Sequence, residues 1–243
     1  LSAPMEVVSR SDSTLRGHVV AEIEAIDAAR RRVTGAGFDG VLLIPCFFEA
    51  GRFPAGAIHW ANVSGRPIPA GDTEFAQDST FGYTSSNLRD FIAEKSRGTI
   101  TSDEVHSISL DDIRLGGPTR VAEILDGVSG GAFVVVNATD YADLEIVVLG
   151  LLEVQERGKS FGYRCGPSFP RALAGLEPQG PLTAAQIWQT GRPGGQGLVV
   201  VGSHVGLTSR QVAKAQERGG LTETELHVPT LLDPERRDDH VAT

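Results

Sequence analysis

Apolar runs and apolar–polar alternation divide this chain into strand-like and helix-like segments in turn. Residues 40–44 (Gly-Val-Leu-Leu-Ile) and 132–136 (Ala-Phe-Val-Val-Val) are apolar throughout. Such runs predict strands buried on both faces of a parallel sheet. Residues 6–8 read as the end of a strand, 104–110 alternate as a strand does, and 160–163 read as a short strand. Helical periods lie between them. Val19, Ile23 and Ile26 recur at helical spacing, and Arg30, Arg31 and Arg32 load the last turn. They predict a helix ending near Val33, punctuated by Gly35 and Gly37. Leu88, Phe91 and Ile92 mark a second helix, capped by Ser85 or Ser86 and running to about Lys95. Pro118 opens a third helix that reaches Leu125. Asp140 caps a fourth over 144–156, which Gly158 stops. The alternation predicts an α/β class: a layered, largely parallel sheet flanked by helices.

Residues 46–83 break the pattern, being rich in Gly, Pro and polar side chains. A long irregular stretch in a compact domain is functional or hides short strands. A hairpin over 57–60 and 63–68 fits its local pattern. Residues 177–196 are rich in Gly and Pro and read as a linker. Beyond it, 197–201 read as a new strand, 202–204 as a turn, Thr208 as the cap of a helix to Arg218, and 225–228 as one more strand. The charged end, 234–243, reads as frayed. The expected organisation is therefore a domain over 1–176, a linker over 177–196 and the start of a second α/β domain over 197–243.

Composition narrows the function classes. The chain has 243 residues, is 40% hydrophobic and 22% charged, and carries a formal net charge of −9. An acidic chain argues against a nucleic-acid surface, yet a locally positive pocket can still take an anion. Cys46 and Cys165 are too few for a disulfide scaffold and read as buried thiols. The longest apolar run, 146–152, is far short of a membrane span. The first residues lack the pattern of a signal peptide, so a cytoplasmic protein without membrane partners is expected. With no initiator methionine, the chain reads as a piece of something longer. The histidines His18, His59, His106, His204 and His227 form no metal-ligand spacing, and no metal is expected on their account.

The chemistry concentrates in residues 9–18, Ser-Arg-Ser-Asp-Ser-Thr-Leu-Arg-Gly-His. Asp12 or Ser13 suits the N-cap of the helix that follows. Helix-start amides, hydroxyls and the Arg16 guanidinium together suit an anion, and Arg16 can grip a carboxylate through two parallel hydrogen bonds. The plain alternative is a capped helix with solvated arginines. Arg52, following Gly51 after a strand end, lies where open α/β sheets bind ligands; its alternative is a solvated loop arginine. Glu74 and Asp78 sit four apart beside Thr73 and Gln77 and suit sugar hydroxyls, or simply turn capping. Neither is assigned as a catalytic base. His59 beside Trp60 reads first as packing, with stacking on a sugar as the alternative, and His106 reads as a strand histidine facing water. Asn137 follows a strand end and could touch ligand. The Gly202-Ser203-His204 turn before a helix has a phosphate-type geometry, without the Walker glycines or lysine.

Asp12-Ser13-Thr14-Leu15-Arg16-Gly17 resembles the signature of the four-carbon acid sugar kinases, which phosphorylate the terminal hydroxyl of tetronate-type acids with ATP. Pro45 with Gly51-Arg52, then 73–78 (Thr-Glu-Phe-Ala-Gln-Asp), then Val201-Gly202-Ser203 before a helix follow in the same order, from about residue 9 to about residue 211. The resemblance implies a sugar-acid-binding domain over 1–176 and the start of a nucleotide-binding domain over 197–243. It implies that Ser13, Thr14, Arg16, Arg52 and Glu74 bind substrate, that Ser203 and Thr208 meet ATP, and that Mg2+ accompanies the nucleotide. The catalytic residue stays unassigned, and a homo-oligomer stays open. The chain departs from the family in four ways. The family's N-terminal strand with an Asp-Asp-x-Thr-Gly turn, expected before Leu1, and its glycine-rich Gly-Gly-x-Thr phosphate loop, expected after Thr243, are not found at those places in this sequence. Arg10 stands near the usual lysine, and His18 stands where asparagine is frequent. The kinase reading therefore carries the expectation that this chain alone is inactive or very weak. The competing reading is a non-catalytic sugar-acid-binding or regulatory module. A Rossmann-type dehydrogenase fits less, since no Gly-x-Gly-x-x-Gly follows a strand.

Overall fold

The structure is a computed structural model and describes residues 6–188, 197–203 and 205–241. It divides into two compact units, Leu1–Gln179 and Gly180–Thr243. Part of the predicted linker (189–196), His204 of the predicted turn and the first five residues lie outside the described residues.

The first unit holds a five-stranded parallel sheet in the order β1 (Ser9–Arg10), β8 (Phe161–Cys165), β2 (Gly40–Ile44), β7 (Ala132–Val136), β6 (His106–Ile108). The predicted α/β layering is what forms. Side chains alternate across a strand, so each apolar run feeds two cores. On one face Leu42, Ile44, Val134 and Val136 pack on Leu144, Val147 and Leu151 of α5 (Tyr141–Glu156). On the other, Val41, Leu43, Phe133 and Val135 join Val19 and Ile23 of α1 (Val19–Thr34) and Leu88, Phe91 and Ile92 of α2 (Leu88–Lys95). Cys46 and Cys165 are buried free thiols, and burial pushes the Cys165 pKa up to about 12.

The irregular stretch contains a second, antiparallel sheet: β3 (Arg52–Ala55), β4 (Ile58–Val63) and β5 (Arg66–Pro69). The predicted hairpin is its β4–β5 pair, with Ser64 and Gly65 at positive φ in the turn. Two short helices escaped the pattern, α3 (Leu110–Arg114) and α6 (Ser168–Leu173). Between α3 and α5 lies α4 (Gly117–Asp126), the predicted third helix. Asp140 caps α5 as expected, accepting from the Asp143 amide.

Several boundaries are corrected. Residues 6–8 are not a strand; the strand is Ser9–Arg10. The strand over 104–110 shrinks to β6, because Ser109 caps α3 through the Asp112 amide. Asn87, not Ser85 or Ser86, caps α2, while Ser85 Oγ accepts from the Asn87 amide. Neither Asp12 nor Ser13 caps α1. That helix starts after His18, whose side chain makes no capping bond. Leu15 at φ 69° and Gly17 at φ 120° turn the chain first and delay the helix.

The described part of the second unit contains helices α7 (Ala184–Ile187), α8 (Gly206–Arg218), α9 (Val228–Leu232) and α10 (Arg237–Val241). The predicted strands 197–201 and 225–228 do not form there. Leu198 is 89% exposed, and a strand needs a ladder partner that these residues do not find among the described ones. Val205 rather than Thr208 occupies the N-cap of α8. The end expected to fray holds the short helix α10.

Candidate functional site

β1 and β2 run parallel on either side of β8, so their carboxyl ends share one rim of the sheet. The 11–17 turn leaves β1 there, and the chain that reaches Arg52 leaves β2 there. Open α/β sheets place ligands at this rim. The Ser11 amide anchors the turn to the Cys165 carbonyl at 2.8 Å. Asp12 then folds the turn around its own carboxylate. It accepts from the Thr14 amide at 3.1 Å, from the Thr14 hydroxyl, and from Arg16 Nε at 2.7 Å. Burial opposes ionisation of Asp12, but the bonds from Thr14 and Arg16 outweigh it and hold its pKa below the usual carboxylate value.

Two buried side chains grip consecutive carbonyls of this turn. His59 Nε2 lies 2.7 Å from the Ser13 carbonyl, and the Tyr83 hydroxyl donates to the Thr14 carbonyl at 2.8 Å. A carbonyl only accepts, so His59 carries its proton on Nε2. Its Nδ1 is buried without a partner. Burial, helped by Arg52, lowers the His59 pKa to about 4, so the ring is neutral. The packing role expected for His59 is therefore specific: it holds Ser13.

Arg52 Nη1 donates to the Ser13 hydroxyl at 2.8 Å. Its guanidinium carbon lies 5.2 Å from the centre of the Phe75 ring and 6.0 Å from that of Phe47. The Arg16 guanidinium carbon lies 5.5 Å from the same Phe75 ring. The two arginines therefore converge. They are not equivalent. Arg16 pairs with Asp12 and, at 3.6 Å, with Asp78. Arg52 is half-buried and makes no ion pair with a described residue. Burial and the charge of Arg16 push its pKa down from the usual guanidinium value, against the pull of Asp12 and Tyr83.

The structure brings Ser13, Thr14, Arg16 and Arg52 together. The two hydroxyl residues are buried, at 3% and 1% exposure, and their hydroxyls serve Arg52 and the Asp12–Arg16 pair. Glu74 stands next to Phe75 at the start of a 3-10 turn, Glu74–Gln77, but is exposed and makes no hydrogen bond or ion pair with a described residue. Asn137 is buried and structural: it accepts from the Ala57 amide and donates to the Ile108 carbonyl, both at 2.7 Å. His106 is exposed on β6 as expected. In the second unit, Thr208 Oγ1 donates to Ser203 Oγ at 3.1 Å. Asp78, read with Glu74 for sugar hydroxyls or turn capping, lies 3.6 Å from Arg16 Nη1 and accepts from the Thr80 and Phe81 amides. Phe47, Phe75 and Tyr83 carry no sequence signal of their own; only the order of the 73–78 segment pointed near Phe75. An open groove of about 580 Å³ runs from Gly17, His18 and the first residues of α1 past Phe81 to Lys95 and Arg97, and includes neither arginine of the cluster.

Residues 2–173 match a family described as a sugar-binding N-terminal domain. No curated protein matches the chain. Solved structures do. A putative tRNA synthase from Salmonella typhimurium has 16% identity and a TM-score of 0.57, over 96% of this chain and 50% of that one. A Haemophilus influenzae protein of the DUF1537 family has 14% identity and a TM-score of 0.51, over 86% and 46%. A Bordetella bronchiseptica domain of unknown function, solved with bound citrate as a domain-swapped dimer, has 22% identity and a TM-score of 0.47, over 96% and 48%. The first two likenesses show the fold. The chain spans about half the length of the solved structures it matches.

Proposed function

Because this chain belongs to the family of sugar-binding N-terminal domains, we propose that it is the substrate-binding part of an ATP-dependent kinase for four-carbon sugar acids. The observation that carries this reading is Arg52. A half-buried guanidinium that makes no ion pair with a described residue, and shares the Phe75 ring with a second guanidinium, favours an anion in front of it. A carboxylate matches the planar fork. Arg16, already paired with Asp12, adds a second fork of lower net charge. Ser13 and Thr14 act through the arginines, and Glu74, exposed and without a bond to a described residue, meets a sugar hydroxyl.

The nucleotide half of the reading has thinner support. Phosphoryl transfer needs cradled phosphates and Mg2+. The residues expected at ATP, Ser203 and Thr208, offer two hydroxyls bonded to each other. Among the described residues no group of three His, Cys, Asp or Glu is suited to hold a metal. These residues do not by themselves fit a nucleotide cradle, so no transfer step is derived from them. The non-catalytic sugar-acid-binding module is the alternative that the acid site equally supports.

The test is a thermal-shift panel of D- and L-threonate and D- and L-erythronate, each with and without Mg-ATP, on the whole protein that contains this chain. A ligand that binds the native state raises its melting temperature. The kinase reading expects one acid to shift the melting temperature and to be consumed in a coupled ATP assay. Binding without turnover favours the module. No shift with any of the four acids contradicts both.

A further inference from the structure

We propose that Phe75 is a positioning residue of this site: its ring is the shared shelf that holds the Arg16 and Arg52 guanidiniums in register for one carboxylate. The inference rests on the acid-binding reading above. It also moves the weight of the 73–78 segment from Glu74 to its neighbour.

The backbone that carries the ring is firmly placed. It belongs to the 3-10 turn Glu74–Gln77. Next to it Ala76 is buried, its amide on the Thr73 carbonyl at 3.2 Å and its carbonyl on the Tyr83 amide at 3.0 Å. Asp78 closes the segment by accepting from the Thr80 and Phe81 amides. Both guanidinium carbons then lie within 5.5 Å of the ring centre. Two cations repel, and a flexible arginine side chain spins about its terminal bonds. The negative face of an aromatic ring offsets the first effect and restricts the second. Each arginine is tethered besides: Arg16 Nε on Asp12 and the Thr14 hydroxyl, with Nη1 3.6 Å from Asp78, and Arg52 Nη1 on Ser13. Ring and tether together fix the plane of each fork, and the remaining N–H groups stay available for two parallel bonds to a carboxylate. Glu74, by contrast, is exposed and makes no bond to a described residue.

The experiment compares Phe75→Leu, Phe75→Tyr and Glu74→Gln with the parent chain. The first readout is guanidinium rotation of Arg16 and Arg52, measured by nitrogen-15 NMR without any ligand. The second is the Kd for D-threonate and D-erythronate, by calorimetry. Thermal melting shows whether each variant is folded. Phe75→Leu is expected to speed rotation of both groups and to weaken acid binding about tenfold. Phe75→Tyr restores both, and Glu74→Gln leaves rotation unchanged. Parent-like rotation and affinity in a folded Phe75→Leu overturn the proposal. Slow rotation that depends on Phe75, in a parent that binds neither acid, upholds the shelf and overturns the acid-site reading instead.

Discussion

At the scale of single residues, the site turns on which groups already have partners. Asp12 and Asp78 occupy Arg16, and Arg52 is left with the Ser13 hydroxyl. Replacing Arg52 by alanine should therefore cost more acid affinity than any other single change here, about 2–3 kcal/mol or some 30–150-fold by calorimetry. Arg52→Lys should recover little, since an ammonium lacks the planar fork. Ser13→Ala should weaken binding only about fivefold, because the hydroxyl positions Arg52 and is itself buried. His59 gives a pH prediction. Its pKa is about 4 in the folded chain against an ordinary 6.5. Between these values the unfolded chain binds a proton that the native chain does not, so stability falls as pH drops. That contribution is complete above pH 6.5 and is lost as pH falls through about 4. His59→Gln keeps an amide donor for the Ser13 carbonyl and should show a flatter loss of melting temperature across this window. The arginines were legible in the sequence because charge beside a strand end is a local signal. The buried state of Ser13 and Thr14 was not, because it depends on Arg52, His59 and Tyr83, which reach the turn from 39 to 69 residues away, and a lone phenylalanine reads as core.

At the scale of elements, legibility followed how local the cause is. β2 and β7 are continuous apolar runs, and both were placed to the residue. α3 and α6 are five and six residues long, too short to show a helical period. The strand over 197–201 had the right composition and no ladder among the described residues, so composition alone misled. The N-cap of α1 was misplaced because Asp12 spends its carboxylate inside the turn, on Thr14 and Arg16. Gly17 shows what that turn demands: φ is 120°, and an added Cβ would lie 3.0 Å from Nη2 of the buried Arg164. Helix packing yields a prediction away from the site. A Cβ at Gly150 on α5 would come within 2.7 Å of the Pro118 carbonyl and 2.8 Å of Val121 on α4. Gly150→Val should wedge the two helices apart and destabilise the chain by about 1–3 kcal/mol in urea unfolding. Acid affinity should survive in the fraction that stays folded, since α4 and α5 pack on one face of the sheet while the turn that carries Arg16 packs its Leu15 on the other.

At the scale of the whole molecule, every acid-binding group proposed belongs to the first unit, and the two expected nucleotide contacts belong to the second. No helix among the described residues is long and apolar enough to cross a membrane. The net charge of −9 repels an anionic ligand at long range, so recognition rests on the short-range forks rather than on steering. Binding and turnover should accordingly separate: this chain alone should bind the acid yet show no ATP-dependent phosphorylation in a coupled assay. The central claim is that a carboxylate, rather than the polyol backbone, is what the paired guanidiniums seize. Isothermal titration of the chain with D-threonate, D-erythronate and the uncharged polyol erythritol tests it most directly. The account predicts heat from at least one acid, none from erythritol, and loss of the acid signal in Arg52→Ala. Equal binding of erythritol, or acid binding unchanged in Arg52→Ala, would contradict it.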